Sequence, residues 1–307
     1  MLRNNKWLVS LFAVFIIIYV AQSLLHEPPH ATLEKFHITA TQFKLLLLTI
    51  VVPYILIWIV GLFGYLHLKS YVEIIRGSKD GEAFNSISKG VLGFVLWLPL
   101  SALAAAFAEQ YYTAHPESTA SLIRAVNYFN LLVLIPAFYL AYRGSVKLTA
   151  LVKGKTQALP LSISMAYIAF SALYVMLVLD DPAINGPTNT ATVGTYYQPD
   201  WLIITTIVIP RLLMWLLGVR AARYIYEYSK RVKGMLYRDA LKHLAQGLSG
   251  ILLSVIVLRV YQSLSSQVGR LSLGALLVVI YILLLVISIG FIYIAKGAKN
   301  LRKLEGA

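Results

Sequence analysis

Hydrophobic residues fall along this chain in eight long runs separated by short polar stretches. The runs cover roughly 7–25, 40–66, 88–110, 122–143, 160–179, 201–223, 244–264 and 272–295. About 20 apolar residues carry a helix across the hydrocarbon of a bilayer. The pattern therefore predicts an all-α integral membrane protein with eight transmembrane helices. The first run follows Met1-Leu2-Arg3-Asn4-Asn5-Lys6, and Ala21-Gln22-Ser23 offers the small residues of a cleavage site. Its length, about 19 residues, exceeds that of a signal-peptide core, and it reads as an uncleaved anchor.

The pattern repeats. Thr49-Ile50-Val51-Val52-Pro53 recurs as Thr206-Ile207-Val208-Ile209-Pro210, at a constant offset of 157. The same offset pairs Trp58 with Trp215, Gly61 with Gly218, Tyr71 with Tyr228, Gly77 with Gly234, Gly90 with Gly247 and Gly93 with Gly250. Most identities fall on Gly, Pro, Trp and Tyr, which generic apolar composition does not align. Farther on, Tyr128, Phe138, Gly144 and Leu148 match Tyr281, Phe291, Gly297 and Leu301 at offset 153. Tyr19-Val20 likewise echoes Tyr174-Val175. The chain divides into two tandem four-helix units, 1–156 and 157–307. An even number of crossings makes the repeats parallel, related by a pseudo-two-fold along the membrane normal.

Composition agrees. The chain of 307 residues is 59% hydrophobic and only 13% charged, with a mean hydropathy of +0.73, well outside the range of soluble domains. It has no Cys, which removes disulfides, thiolate metal sites and cysteine nucleophiles. The net charge of +14 resembles a nucleic-acid signal until its distribution is read. The N-terminus, the loops 67–89, 144–159 and 224–243 and the C-terminal tail, with their helix ends, hold 21 of the 27 Lys and Arg. The opposite loops carry Glu27, Glu34, Glu117, Asp180, Asp181 and Asp200. The positive-inside rule then places both termini in the cytoplasm of a multi-pass protein of the plasma (inner) membrane.

No Pro or Gly interrupts Leu66–Arg76 or Arg223–Lys233. Spans 2 and 6 are expected to continue beyond the bilayer and return as helical hairpins, 66–90 and 223–247. The alternative is an amphipathic connection lying on the membrane surface. Gly77 and Gly234 read as left-handed caps closing the outgoing helix. Asp80 and Glu82, or Asp239, then stand where the next helix dipole favours acid. These hairpins can dock a protein partner. Their cations suit anionic lipid headgroups, with no nucleic acid implied.

Candidate chemistry is sparse. Pro53 and Pro210 free the carbonyls of Thr49 and Thr206 and kink their helices. Such carbonyls can coordinate a cation or polar substrate, or the kinks serve packing with each Thr bonded to its own helix. Arg211, near the middle of span 6, has Tyr54 as its repeat partner. An intramembrane charge costs at least ~2.5–3.5 kcal/mol and needs a partner. Stacked on Tyr54 or reaching the Thr49 carbonyl, it forms an anion site between the repeats or a structural tie between them. Glu109 and Arg259 occupy corresponding helices and suit an ion pair. Asn127 and Asn130 share one face of span 4 and add polarity at that depth. His26, His30 and His37 lack ligand spacing, so no metal is expected.

The chain lacks a P-loop, a zinc-protease motif and a nucleophile elbow, and nothing calls for a cofactor. The expectation is a non-enzyme. One reading is transport or channel-like, with Arg211, Tyr54, Thr49, Thr206 and Asn130 around a polar site between the repeats. The other is a membrane scaffold or assembly subunit working through the two hairpins. Oligomeric state is left open.

Overall fold

The computed structural model describes residues 5–25, 37–114, 119–154, 209–265 and 273–304. All seven elements among them are helices: α1 (Lys6–Leu25), α2 (Ala40–Ile74), α3 (Lys79–Ala114), α4 (Thr119–Lys153), α5 (Ile209–Ser229), α6 (Met235–Ser265) and α7 (Leu273–Leu304). Five of them, α1, α2, α3, α4 and α7, contain segments long and apolar enough to cross a membrane. The predicted span 160–179 lies outside the described residues. Spans 201–223 and 244–264 correspond to α5, from Ile209 onward, and to α6.

Several helices outrun a bilayer. At about 1.5 Å per residue, the 35 residues of α2 extend roughly 50 Å, against a hydrocarbon core of about 30 Å. The start of α2 is set by a capping box: Thr39 Oγ1 accepts from Gln42 N at 3.2 Å, and Gln42 Oε1 accepts from Thr39 N at 2.8 Å. Pro53, Pro99 and Pro136 lie inside α2, α3 and α4. Buried hydroxyls bond to their own helices, as interiors without water require. Ser145 donates to the Tyr142 carbonyl, Thr149 to Ser145 and Ser254 to Ile251.

Six helices close a ring. Each of α2 to α7 packs on the helix before and after it in sequence, and α7 packs back on α2. α1 leans on the outside, against α2 and α3. One contiguous buried cluster runs through all seven helices, from Leu8 to Leu301, with Trp58, Trp97, Phe94, Phe138 and Phe291 among its largest members. Large apolar residues also line the outside at helical spacing. Leu45, Leu48, Val52, Leu56, Ile59 and Phe63 form such a stripe on α2, and Val278, Ile282, Leu285, Ile289 and Ile292 form another on α7. Water would make these stripes costly; lipid does not.

Small residues set the closest helix approaches. In α3–α4, a Cβ on Gly90 would lie 2.7 Å from the Ala137 carbonyl oxygen, and one on Gly144 would lie 2.5 Å from that of Ala83. In α6–α7, Gly247 faces the Gly290 carbonyl at 2.7 Å and Gly297 faces that of Ala240 at 2.7 Å. Without a hydrophobic force between helices in lipid, such backbone contact supplies the van der Waals attraction. Gly93 and Gly250 make equally close approaches, their Cβ positions 2.7 Å from Ala137 Cβ and 2.8 Å from Gly290 Cα.

One end of the ring collects the helix ends that carry most of the described cations. Lys69 donates to Asn5, bringing the start of α1 beside the last turns of α2. Lys147 pairs with Glu82 at 2.9 Å, and Arg302 lies beside His67. The turns 75–78 and 230–234 stand at this basic end.

Candidate functional site

Both turns are tight, and their helices continue without a break. α2 ends at Ile74 and α3 begins at Lys79; α5 ends at Ser229 and α6 begins at Met235. The prediction for the two glycines needs a correction of register. Gly77 has φ +93° but lies two residues past the cap residue Ile75, which bonds back to the Tyr71 carbonyl. Gly234, with φ +105°, directly precedes α6 and its carbonyl accepts from Arg238 N at 3.1 Å. It therefore opens the incoming helix. Left-handed backbone is required at both places, which glycine alone adopts freely. In the first turn Ser78 Oγ accepts from Gly81 N at 2.9 Å, an N-cap for α3. Asp80 and Glu82 follow in its first turn, whereas α6 has no acid there; Asp239 lies one turn too late.

The two turns meet at a cluster of side chains from four helices. Tyr71 of α2 stands edge-on to Phe84 of α3, with ring centroids 5.1 Å apart at 90°. Asp80 of α3 lies within reach of the Tyr228 hydroxyl of α5, and Tyr237 of α6 is set against Tyr71 and Tyr228. Burial, then the charge of Asp80, raises the Tyr228 hydroxyl above the ordinary tyrosine range. Burial raises Tyr237 still further, helped by Tyr71, Tyr228 and Asp80. The raised pKa keeps the Tyr228 phenol protonated beside Asp80. In the sequence Tyr71 and Tyr228 are repeat partners, and so, without being identical, are Asp80 and Tyr237. That register is the one signal that could have found the cluster; nothing local to either turn marks it.

The sequence-predicted polar residues go to several places. Thr49 is exposed and donates to the Leu46 carbonyl of its own helix at 2.6 Å; Tyr281 of α7 shares a 2.6 Å hydrogen bond with the same hydroxyl. Tyr54 donates to the Leu98 carbonyl at 3.3 Å and packs among Tyr19 and Trp58, on the α1–α3 side of α2. Asn130 accepts the Trp97 indole N–H at 2.9 Å, tying α4 to α3. Arg211 is half-buried on α5 and is engaged by an interaction of its own. Pro53 lies inside α2, and buried Pro210 stands at the second residue of α5 as described. Thr206 lies outside the described residues, as do His26 and His30. Glu109 and Arg259 fall on α3 and α6, with side chains outside the description, as is that of Asn127. Thr49 thus bonds at the α2–α7 contact, Tyr54 at α2–α3 and Asn130 at α3–α4.

α2 meets α7, and α4 meets α5, through packed side chains. Gly61 of α2 lies under Phe291 of α7, and Gly218 of α5 under Phe138 of α4. Gly64 approaches the Ala295 backbone, its Cβ position 3.2 Å from Ala295 Cα. Among the described residues no group of three His, Cys, Asp or Glu is placed to hold a metal ion.

These features define an all-helical protein with several helices apolar enough to span a bilayer, a closely packed interior and a basic end built from two helical turns. No family model, no curated protein and no solved structure matches the chain.

Proposed function

We propose that this protein is a non-enzymatic membrane scaffold or assembly subunit that docks a partner through its two helical hairpins, 66–90 and 223–247. The observation that carries this reading is the surface of the joined turns. Met235 is 74% exposed, and Leu236, Tyr226 and Ile74 are also exposed beside Arg76, Lys79, Arg231 and Lys233. Exposed apolar residues rimmed by charge at the end of a rigid body mark an interaction surface. Buried Tyr71 and Tyr228, with half-buried Asp80 and Tyr237, join the two turns beneath it.

The architecture proposed with it is eight transmembrane helices in two parallel four-helix repeats, 1–156 and 157–307. Both termini and both hairpins lie in the cytoplasm. Reciprocal packing supports the repeat: Gly61 under Phe291 answers Gly218 under Phe138, and α2 on α7 answers α5 on α4. The charge distribution supports the orientation. Transport would need polar groups to converge between the repeats; Thr49 bonds Tyr281 at the α2–α7 seam, whereas Tyr54 and Asn130 bond to α3.

The test is affinity isolation of the tagged full chain from its native membrane in mild detergent, read by mass spectrometry. Wild-type protein should carry a stoichiometric partner that is lost when Arg76, Lys79, Arg231 and Lys233 are changed to Glu with membrane insertion intact. A clean monomer or homo-oligomer, together with an anion-dependent thermal shift abolished by Arg211→Leu, would replace the scaffold with a transporter.

A further inference from the structure

α2 and α7 run side by side in the same direction. Their seam is pinned by Thr49 with Tyr281 at one end, by Gly61 with Phe291 and Gly64 with Ala295 in the middle, and by His67 with Arg302 at the basic end. On the outside of α7 a single stripe changes character along its length. Leu285, Ile289 and Ile292 are exposed, and Lys296, Lys299 and Lys303 continue the same stripe at spacings of three and four, which is one helix face. On α2 the exposed Phe63 precedes His67 by one turn. Both helices pass from apolar to cationic or imidazole character at the level where Arg302 Nη1 comes within 3.4 Å of His67 Nδ1. Lys299, one turn before Arg302, acts on the same imidazole.

The other seam lacks this arrangement. Where α4 packs on α5, Tyr224 stands in the place of His67 and packs against Tyr142, with centroids 6.2 Å apart. Val146 and Thr149 stand in the places of Lys299 and Arg302, and both are buried. The set of His67, Lys299 and Arg302 therefore belongs to one seam, although Arg143 of α4 and Arg220 and Arg223 of α5 are exposed cations on the helices of the other.

We propose that the basic end of the α2–α7 seam binds the phosphodiester headgroup of an anionic phospholipid, with its acyl chains along the apolar stripes. Lys299 and Arg302 supply charge-assisted donors to the phosphate, and His67 orients Arg302 by accepting from its guanidinium. A soluble phosphate would find the same cations but not the contiguous apolar stripe. The proposal rests on the membrane-spanning reading and not on the docking of a partner.

The test uses the full chain in nanodiscs of phosphatidylcholine, with and without phosphatidylglycerol, and reads thermal unfolding together with lipid retained in native mass spectrometry. Phosphatidylglycerol should raise the unfolding temperature, as a ligand of the folded state must, and survive delipidation as a bound molecule. Lys299→Gln with Arg302→Gln should lose more than half of that shift. Arg143→Gln with Arg220→Gln removes the same charge from the exposed faces of α4 and α5 and should leave it intact. If the double variant does not fold, Lys299→Gln alone, at an exposed side chain, should still weaken retention. Equal losses in both pairs, no shift, or the full shift from inorganic phosphate in phosphatidylcholine discs would each overturn the proposal. A protein that fails to enter nanodiscs would overturn the membrane-spanning reading itself.

Discussion

A Cβ on Gly61 would fall 2.9 Å from Phe291 Cδ1, and one on Gly218 would fall 2.9 Å from Phe138 Cε1. Each glycine admits an aromatic ring from a helix distant in sequence, α7 for α2 and α4 for α5. The two contacts close the two seams of the ring, and both rings are wholly buried. Gly61→Ala should destabilise the protein by about 1–3 kcal/mol, the usual cost of overpacking. Phe291→Ala should cost about 3–5 kcal/mol through the cavity it leaves. The double variant should cost less than the sum, because the new methyl enters space the ring vacated. Equilibrium unfolding in mixed detergent measures all three. Strict additivity would show that the two residues do not share the contact described.

The Asp80 cluster should behave as a joint between the turns. Tyr228→Phe removes a donor from Asp80 and should cost about 0.5–1.5 kcal/mol. Asp80→Ala should cost somewhat more, because it also removes an acid from the first turn of α3. Once Tyr228 is Phe, the further loss from Asp80→Ala should shrink, and a thermodynamic cycle of the four proteins measures that coupling. If the turns are joined elsewhere, the cycle will show no coupling.

Asn130 can be assigned by the same logic. Asn130→Ala leaves the Trp97 N–H without its 2.9 Å acceptor and should cost about 1–3 kcal/mol as an unsatisfied buried donor. Trp97→Phe combined with Asn130→Leu removes both partners and should recover most of that loss. A variant at Asn130 that leaves stability unchanged but alters a ligand response would return this residue to a transport site.

His243 stacks on Tyr293 with ring centroids 5.6 Å apart at 21°. Burial, then Lys296, lowers its pKa below the ordinary histidine value, while Asp239 opposes and Lys242 adds to the shift. The unfolded chain therefore binds this proton more readily than the folded one. Stability is full above the ordinary value of about 6.5, falls as pH drops through it, and reaches its floor below the folded value. Unfolding temperature should accordingly decline between pH 7.5 and pH 5.5, and His243→Phe should flatten part of that decline. An unchanged profile in the variant would assign the pH response to other groups.

Much of this protein was legible in its sequence. Length and hydropathy along a single helix decide whether that helix suits a bilayer, so the long apolar elements α2, α3, α4 and α7 were readable from local composition. The start of α2 after Thr39 and the turns at Gly77 and Gly234 were readable for the same reason: capping and left-handed backbone depend on a few neighbouring residues. The exact role of Gly234 was not, since one residue of register decides whether a glycine ends one helix or opens the next.

Side-chain partnership was decided only by tertiary structure. The sequence placed Thr49, Tyr54 and Asn130 at similar depths and suggested one polar site. Depth along a helix axis says nothing about which way a side chain faces around it, and each residue turned to a different neighbour: Tyr281, Leu98 and Trp97. The junction of Tyr71, Asp80, Tyr228 and Tyr237 likewise joins residues up to 166 positions apart (71 to 237). Helix length and polarity are set within one segment, whereas contacts between segments depend on how the helices rotate and pack. The sequence by itself determined the helices and their small-residue faces; only the closed ring determined what those faces touch.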